Sequence, residues 1–228
     1  IQRYLLADEV GLGKTIEAGV LARQHLLDDP SGSVLIIAPA GLVTQWQGEW
    51  QHRFAIYPYD PRVRIDHIDN VSASMAPTML IVDEAHHVAS WAWSEDPHDK
   101  DKWSVIATLA EKASALLLLS ATPAASDAAA YLALLNLVDP QFYDLSDRDR
   151  FSDRVRIQEE LGKKLLALNE DSPPFLLVHP TREIGEMLSS DPRVVERVEI
   201  LLEAIEANTE DVIPALRDLR TWVSETYR

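Results

Sequence analysis

Three short, uninterrupted apolar runs constrain the fold of this chain more than any other feature of its sequence. They cover residues 34–38, 79–82 and 115–119, and each leads at once into a chemically distinct segment. Runs of this kind are typical of strands buried on both faces, as in a parallel sheet covered by helices. The carboxyl ends of such strands share one edge of the sheet, where ligands bind in open α/β proteins. The pattern therefore predicts an α/β fold in which separate segments meet at one crevice.

A glycine-containing turn follows a further predicted strand, within residues 5–15 (LLADEVGLGKT). A helix that begins at Lys14 presents backbone N–H groups and the positive end of its dipole to an anion. Glycines in the turn let the backbone approach phosphate oxygens. We expect Lys14 to reach the β- and γ-phosphates of a nucleotide and the Thr15 hydroxyl to hold Mg²⁺. The predicted nucleotide contacts are Gly11, Leu12, Gly13, Lys14 and Thr15.

An acidic pair, Asp83 and Glu84, follows the apolar run 79–82. Mg²⁺ prefers hard oxygen ligands, so Asp83 is the predicted second anchor for the metal. Glu84 can then orient and deprotonate the water that attacks the γ-phosphate. Each motif alone has a simpler alternative. Asp8 replaces the usual first glycine of the phosphate turn, so residues 8–15 can be a glycine-rich turn before an ordinary helix, and an acidic pair can merely cap and begin a helix. Their presence in one predicted sheet favours the catalytic interpretation.

Polar groups at two neighbouring strand ends predict a relay. His86 follows the acidic pair, and the hydroxyls of Ser120 and Thr122 follow the run 115–119. We expect these groups to hydrogen-bond and to connect the nucleotide site with a second surface. His87 is interpreted as a hydrogen-bonding residue, since the sequence has no set of ligands at zinc spacing.

The motifs resemble those of the Swi/Snf-type DNA translocases of helicase superfamily two. Residues 8–15 resemble motif I of that family, in which Asp-Glu replaces the opening glycine. Residues 35–39, with the Gln-Trp pair 45–46, resemble motif Ia. The DEAH segment 83–86 resembles motif II, and the Ser-Ala-Thr segment 120–122 resembles motif III. A narrower resemblance, to the bacterial RapA branch associated with RNA polymerase, includes residues 5–19, 86–87 and 93–96.

The resemblance implies a DNA-dependent ATP hydrolase that uses ATP and Mg²⁺ to move along double-stranded DNA. It also implies a RecA-like lobe of the P-loop NTPase type, with a second lobe, absent from this chain, that supplies an arginine finger. RNA polymerase becomes a possible partner through the RapA branch. The implied residues are Glu84, Lys14 and Asp83 for catalysis, Thr15 and Asp83 for the metal, His86, Ser120, Ala121 and Thr122 for coupling, and Pro39 and Gln45 for nucleic acid.

The charge of the chain leaves two other functions open. The formal net charge is −16, from 37 acidic and 21 basic residues, and acids exceed bases in both 1–140 and 141–228. A DNA-binding protein usually gains affinity by neutralising phosphates with basic residues. Two interpretations of the acidic charge are therefore open. In the first, DNA is held mainly by parts outside this chain. In the second, the protein is an ATP-gated interaction subunit of a larger assembly, for example in antiphage defence. A strand-separating helicase of the same superfamily is a further alternative.

The organisation predicted from the sequence is an ATP-binding lobe over 1–140 followed by a helical subdomain over 141–228. Helices are expected over 14–27, 41–53, 103–113, 149–168, 193–207 and 211–227, with 90–103 as a polar loop. We expect Ile16, Val20, Leu21 and Leu27 to face the sheet, and Trp46 and Trp50 to be core residues rather than platforms for bases. The absence of cysteine and of any apolar run near ~20 residues predicts a cytosolic protein with no membrane partner.

Overall fold

The computed structural model describes residues 2–7, 13–54, 60–121 and 127–227, which form two compact units, 1–151 and 152–228. The strands are β1 Gln2–Ala7, β2 Val34–Ile37, β3 Val63–Asp66, β4 Met79–Val82 and β5 Ala115–Ser120. The α-helices are α1 Lys14–Asp28, α2 Ala40–Glu49, α3 Ala85–Ala89, α4 Pro97–Lys112, α5 Ala128–Val138, α6 Arg148–Ala167, α7 Pro174–Met187, α8 Pro192–Ala207 and α9 Val212–Thr226. A π-helical turn, Trp50–Phe54, continues α2.

The five strands form one parallel sheet in the order β1-β5-β4-β2-β3. Alternate residues along each strand point to opposite faces, so Ile36, Ile81 and Leu117 share one core with α1 and α2. The intervening residues Leu35 and Leu80 belong to a second core with α3, α4 and α5. The predicted α/β architecture of strands buried on both faces is therefore confirmed.

The predicted inward face of α1 is wrong. Ile16, Val20, Leu21 and Leu27 are 40–66% exposed. The helix instead packs through small residues, since Ala18 and Ala22 are fully buried and Gly19 lies against the ring of Phe54. Small side chains let the helix axis approach the sheet and the turn after α2, which large aliphatic residues at the same positions would prevent.

Gly19 provides a test of this close packing. A Cβ built at Gly19 overlaps the Phe54 ring, so we expect Gly19→Ala to lower the free energy of unfolding by about 1–2 kcal/mol, despite the better helix propensity of alanine. Gly48→Ala is the matched control, because Gly48 also lies within a helix but has open space around its Cβ position. The control should gain up to about 1 kcal/mol. Urea unfolding of both variants measures the difference, and equal effects would contradict the packing argument.

The segment 90–103 is not a polar loop throughout. Residues Ser90–Trp93 form a 3₁₀ turn, and α4 begins at Pro97, six residues before the predicted start. Asp96 caps the helix by accepting the N–H of His98 at 2.7 Å. The many acids in this stretch concealed a capped helix start.

The unit over 152–228 consists of helices around a separate apolar core. α8 buries Val194, Val198 and Leu201, as the helical spacing predicted. α9 buries Leu216 and Leu219 on the facing side of the same core. Among the described residues, no helix combines the length and apolar character needed to cross a bilayer.

Candidate functional site

The start of α1 has the geometry expected of an anion-binding turn. Gly13 adopts φ 95° and ψ 16°, a left-handed conformation that favours glycine. Lys14 and Thr15 follow as the first helical residues, both half-buried. The first N–H groups of a helix have no carbonyl partner within that helix and can bind a ligand. The rest of the predicted turn lies outside the described residues: Asp8, Glu9, Val10, Gly11 and Leu12.

Asp83 and Glu84 lie directly beyond β4 at the carboxyl edge of the sheet. The N–H of Asp83 donates to the Ile37 carbonyl at 2.8 Å, which continues the strand pairing by one residue. Glu84 then turns sharply, with φ 48° and ψ 45°, and begins α3. A non-glycine residue in this conformation is strained, and such strain persists where the surrounding structure enforces it.

The lysine turn, which consists of Gly13, Lys14 and Thr15 at the start of α1, and the acidic pair, Asp83 and Glu84, line one cleft of about 460 Å³. Burial raises the pKa of Asp83, and Lys14 is close enough for its positive charge to oppose that rise slightly. Side chains from α1, α2 and the end of β4 therefore meet at one edge of the sheet. The residues lining the cleft are Gly13, Lys14, Thr15, Ile16, Leu42, Gln45, Trp46, Glu49, Arg53, Asp83 and Glu84.

The carboxylate of Asp83 is largely enclosed, and both of its oxygens accept hydrogen bonds. The indole Nε1 of Trp46 donates to Oδ2 at 2.6 Å. The backbone N–H of Glu84 donates to Oδ1 at 2.9 Å. Burial raises the pKa of Asp83 above its ordinary value, and these two hydrogen bonds oppose that effect because they stabilise the charged form.

Glu84 and His86 approach each other without forming a strong ion pair. Glu84 Oε2 and His86 Nδ1 are 3.3 Å apart, and each atom is buried and lacks a well-aligned hydrogen bond within the described structure. Burial and the neighbouring His87, whose ring centroid is 4.2 Å away, lower the pKa of His86. The imidazole is therefore neutral at neutral pH.

The predicted coupling residues lie at the end of β5. Ser120 is its last residue and is fully buried, and Ala121 follows half-buried. Thr122 lies outside the described residues. The described contacts of His86 are with Glu84 and His87, so the expected relay with the hydroxyls stays a prediction.

The two residues predicted to contact nucleic acid belong to different surroundings. Pro39 immediately precedes α2, at the carboxyl end of β2. Gln45 is exposed on α2 and lines the cleft with the lysine turn and the acids. Trp46 and Trp50 are core residues as expected, with 2% and 0% exposure.

Most of the contribution of α2 to the cleft was missed in the sequence, where only Gln45 was predicted as a site residue. Leu42, Gln45, Glu49 and Arg53 recur at helical spacing and form one stripe along α2 and the turn that continues it. Arg53 Nε forms an ion pair with Glu49. Gln45 was predicted as a nucleic-acid contact through the resemblance to motif Ia, whereas Leu42, Glu49 and Arg53 belong to no motif and could have been found only from this spacing.

In the part of the chain that the structure describes, the cleft offers only a few oxygen donors, which suits Mg²⁺ better than a metal ion whose ligands all come from protein side chains. Thr15 offers a hydroxyl and Asp83 a carboxylate, both hard ligands. Within the described ranges, no group of three or more His, Cys, Asp or Glu side chains is placed to hold a metal ion. Mg²⁺ commonly uses one or two protein oxygens together with waters and substrate phosphates, which matches this donor set.

Comparison with solved structures identifies the fold. No protein-family model matches the chain. The SWI2/SNF2 ATPase core of Sulfolobus solfataricus, solved in complex with dsDNA, aligns with a TM-score of 0.51 at 11% identity, over 97% of this chain and 65% of that one. The helicase domain of Pyrococcus furiosus Hef aligns with a TM-score of 0.45 at 16% identity, over 98% of this chain and 66% of that one. The chain thus spans about two thirds of each, and the first likeness confirms the expected RecA-like α/β fold.

Proposed function

We propose that residues 1–140 are the ATP-binding lobe of an ATP-dependent double-stranded DNA translocase, followed by a helical subdomain over 141–228. The observation that carries this proposal is the single cleft lined by Lys14, Thr15, Asp83 and Glu84 at the carboxyl edge of a parallel sheet. The Lys14 ammonium and the start of α1 can bind the negative charge of a triphosphate. Of the two carboxylates beside them, one can bind a metal ion and the other can act as a general base. The fold shared with a SWI2/SNF2 ATPase core supports the same function.

In this mechanism each side chain has one task. The turn ending at Gly13 and the Lys14 ammonium hold the phosphates, while Thr15 and Asp83 would hold Mg²⁺. The metal, when bound, neutralises charge on the β- and γ-phosphate oxygens. Glu84 accepts a proton from the attacking water. The neighbouring His86 is neutral and therefore does not neutralise the negative charge of that carboxylate.

The proposed motor needs parts beyond this chain. A second RecA-like lobe supplies the arginine that stabilises the transition state, a contribution of ~10³–10⁵ in rate. We therefore expect the 228-residue chain alone to bind ATP·Mg weakly and to hydrolyse it negligibly. The motif resemblance supports placement in the RapA branch, with RNA polymerase as the partner to test.

Replacing Lys14 tests the nucleotide site directly. We expect Lys14→Ala to weaken ATP·Mg binding at least tenfold, since the variant removes the cation from the phosphate end of the cleft. Lys100→Ala is the control, because Lys100 is an exposed lysine of α4 outside the cleft. Calorimetric titration of the chain with ATP·Mg measures both affinities. No binding by the unmodified chain, or equal affinity in both variants, would refute the nucleotide site.

One observation favours a second candidate function, an ATP-gated switch in a larger assembly. The net charge of −16 is unfavourable for holding DNA phosphates and suits a protein partner. The full protein with both lobes separates the two candidates. Double-stranded DNA should stimulate ATP hydrolysis by a motor strongly, whereas a switch should be indifferent to it.

A further inference from the structure

We propose that Trp46 is a positioning residue for the metal-binding carboxylate of the cleft. The indole Nε1 of Trp46, on α2, donates a 2.6 Å hydrogen bond to Oδ2 of Asp83, beyond β4. The two residues are 37 positions apart in the sequence, so the bond joins separate elements. The inference rests on the proposed function, because it concerns how Asp83 would meet Mg²⁺.

The hydrogen bond completes a two-point support of the carboxylate. Oδ1 accepts the N–H of Glu84 at 2.9 Å, and Oδ2 accepts the indole of Trp46. With one donor on each oxygen, rotation of the carboxylate about its own axis loses at least one bond. Each oxygen retains a further lone pair that can accept a metal ion or a metal-bound water. Asp83 is thus held in one orientation with its acceptor capacity intact.

The indole is itself fixed by aromatic packing. Trp46 is 2% exposed, and its ring lies 6.2 Å from that of Trp50 between centroids. Trp50 in turn packs edge-on against Phe54 at 5.9 Å, and the Phe54 ring closes on Gly19 of α1. The donor therefore cannot follow a moving carboxylate, which is the property that positioning requires.

The chemistry of indole suits this task better than that of other donors. An indole N–H only donates and carries no charge, so it orients the carboxylate without neutralising it. A lysine or arginine at the same place would compete with Mg²⁺ for the negative charge. Groups outside the metal's own ligands commonly orient those ligands in this way, and their loss costs 10–100-fold in metal affinity.

A comparison of two tryptophans tests the inference. Trp46→Phe removes the donor to Asp83, and Trp50→Phe makes the same change at a neighbouring buried ring, whose N–H has no acceptor within the described structure. The measurement is the ratio of the affinities for the non-hydrolysable analogue AMP-PNP with Mg²⁺ and with EDTA, by calorimetry, for each variant of the chain. A fraction of unfolded protein reduces both affinities equally and cancels in this ratio.

We expect Trp46→Phe to reduce the magnesium-dependent gain in affinity about tenfold or more, and Trp50→Phe to leave it within about twofold. Equal ratios in the two variants would overturn the positioning role. Absence of AMP-PNP binding by the unmodified chain would instead refute the proposed function, so the two failures are distinct. If Trp46→Phe does not fold, benzothienylalanine at position 46, which replaces the N–H by sulfur in the same shape, gives the same two outcomes.

Discussion

Glu84→Gln is expected to lower ATP hydrolysis by about 10²–10⁴-fold in the proposed two-lobed motor while leaving ATP·Mg affinity within about twofold. Glutamine has nearly the shape of glutamate, so the cleft and the helix start at Lys14 are preserved. It has no basicity, so the attacking water loses its proton acceptor. A loss confined to turnover is the signature of an interaction made only in the transition state.

The surroundings of Glu84 make replacement of its function by a neighbour difficult. Its backbone holds a strained left-handed turn, which sets the direction in which the side chain leaves the end of β4. Asp83 is committed to two hydrogen bonds, with Trp46 and with the N–H of Glu84. His86 is neutral at neutral pH, but its Nδ1 faces Glu84 Oε2 at 3.3 Å, and His86 is not among the residues that line the cleft.

Two further variants separate the roles of the paired acids. Asp83→Asn should lower both the magnesium-dependent affinity and the turnover, because it removes the carboxylate proposed to bind Mg²⁺. Glu95→Gln, an exposed acid outside the cleft, should leave both unchanged. Steady-state ATPase assays with DNA and calorimetric binding on the same preparations provide the data. Near-normal turnover by Glu84→Gln would remove Glu84 from the role of base.

The strands and their edge could be predicted from the sequence because burial on both faces leaves a direct trace. The run 34–38 has no polar residue, is short and contains Val and Ile, so it favours a strand inside a sheet covered by helices. Because Asp83 and Glu84 come directly after another such run, their position at the carboxyl end of a strand could also be predicted. Strand order was not accessible in this way, since it depends on contacts between distant segments.

The faces of the helices were harder to predict than their positions. α1 contains both an aliphatic stripe, with Val20 and Leu27, and a stripe of small residues, with Ala18 and Ala22. Hydrophobicity favours the first stripe, but the close approach of α1 to Phe54 selects the second. That choice depends on the distance between packed elements, which no single segment encodes.

The bond between Trp46 and Asp83 was inaccessible for a similar reason. The sequence predicted Trp46 to be a core residue and Asp83 to be a metal ligand, and both predictions concern one residue at a time. Their contact requires β2 and β4 to be neighbours, which the sheet order provides. Function-bearing pairs of this kind emerge only when the topology is known.

Arg3→Met is expected to lower the free energy of unfolding of the unit over 1–151 by about 3 kcal/mol, the largest stability effect among our predictions. The Arg3 guanidinium donates to carbonyls at the ends of two helices. The acceptors are Ala110 of α4 and its C-cap Ala113, at 2.8 and 3.3 Å, and Leu137 and Val138 of α5, at 2.6 and 2.8 Å. The last carbonyls of a helix lack partners within it and carry its negative dipole end. Burial lowers the pKa of Arg3, and Asp139 partly offsets this; arginine nevertheless stays charged at any working pH.

Matched variants show whether the loss of unfolding free energy in Arg3→Met comes from these four hydrogen bonds or from the loss of charge alone. Arg3→Lys keeps the charge on one nitrogen and should recover only part of the loss, because an ammonium cannot reach both helix ends in a fixed fork. Arg64→Met removes an exposed arginine of β3 that contacts Asp66 and the Asn70 carbonyl, and should cost less than about 1 kcal/mol. Five of the six tryptophans lie in residues 46–103, so tryptophan fluorescence during urea unfolding reports mainly on the unit over 1–151. Equal midpoints for Arg3→Met and Arg64→Met would show that β1, the strand leading to Lys14, is held in place by strand pairing alone.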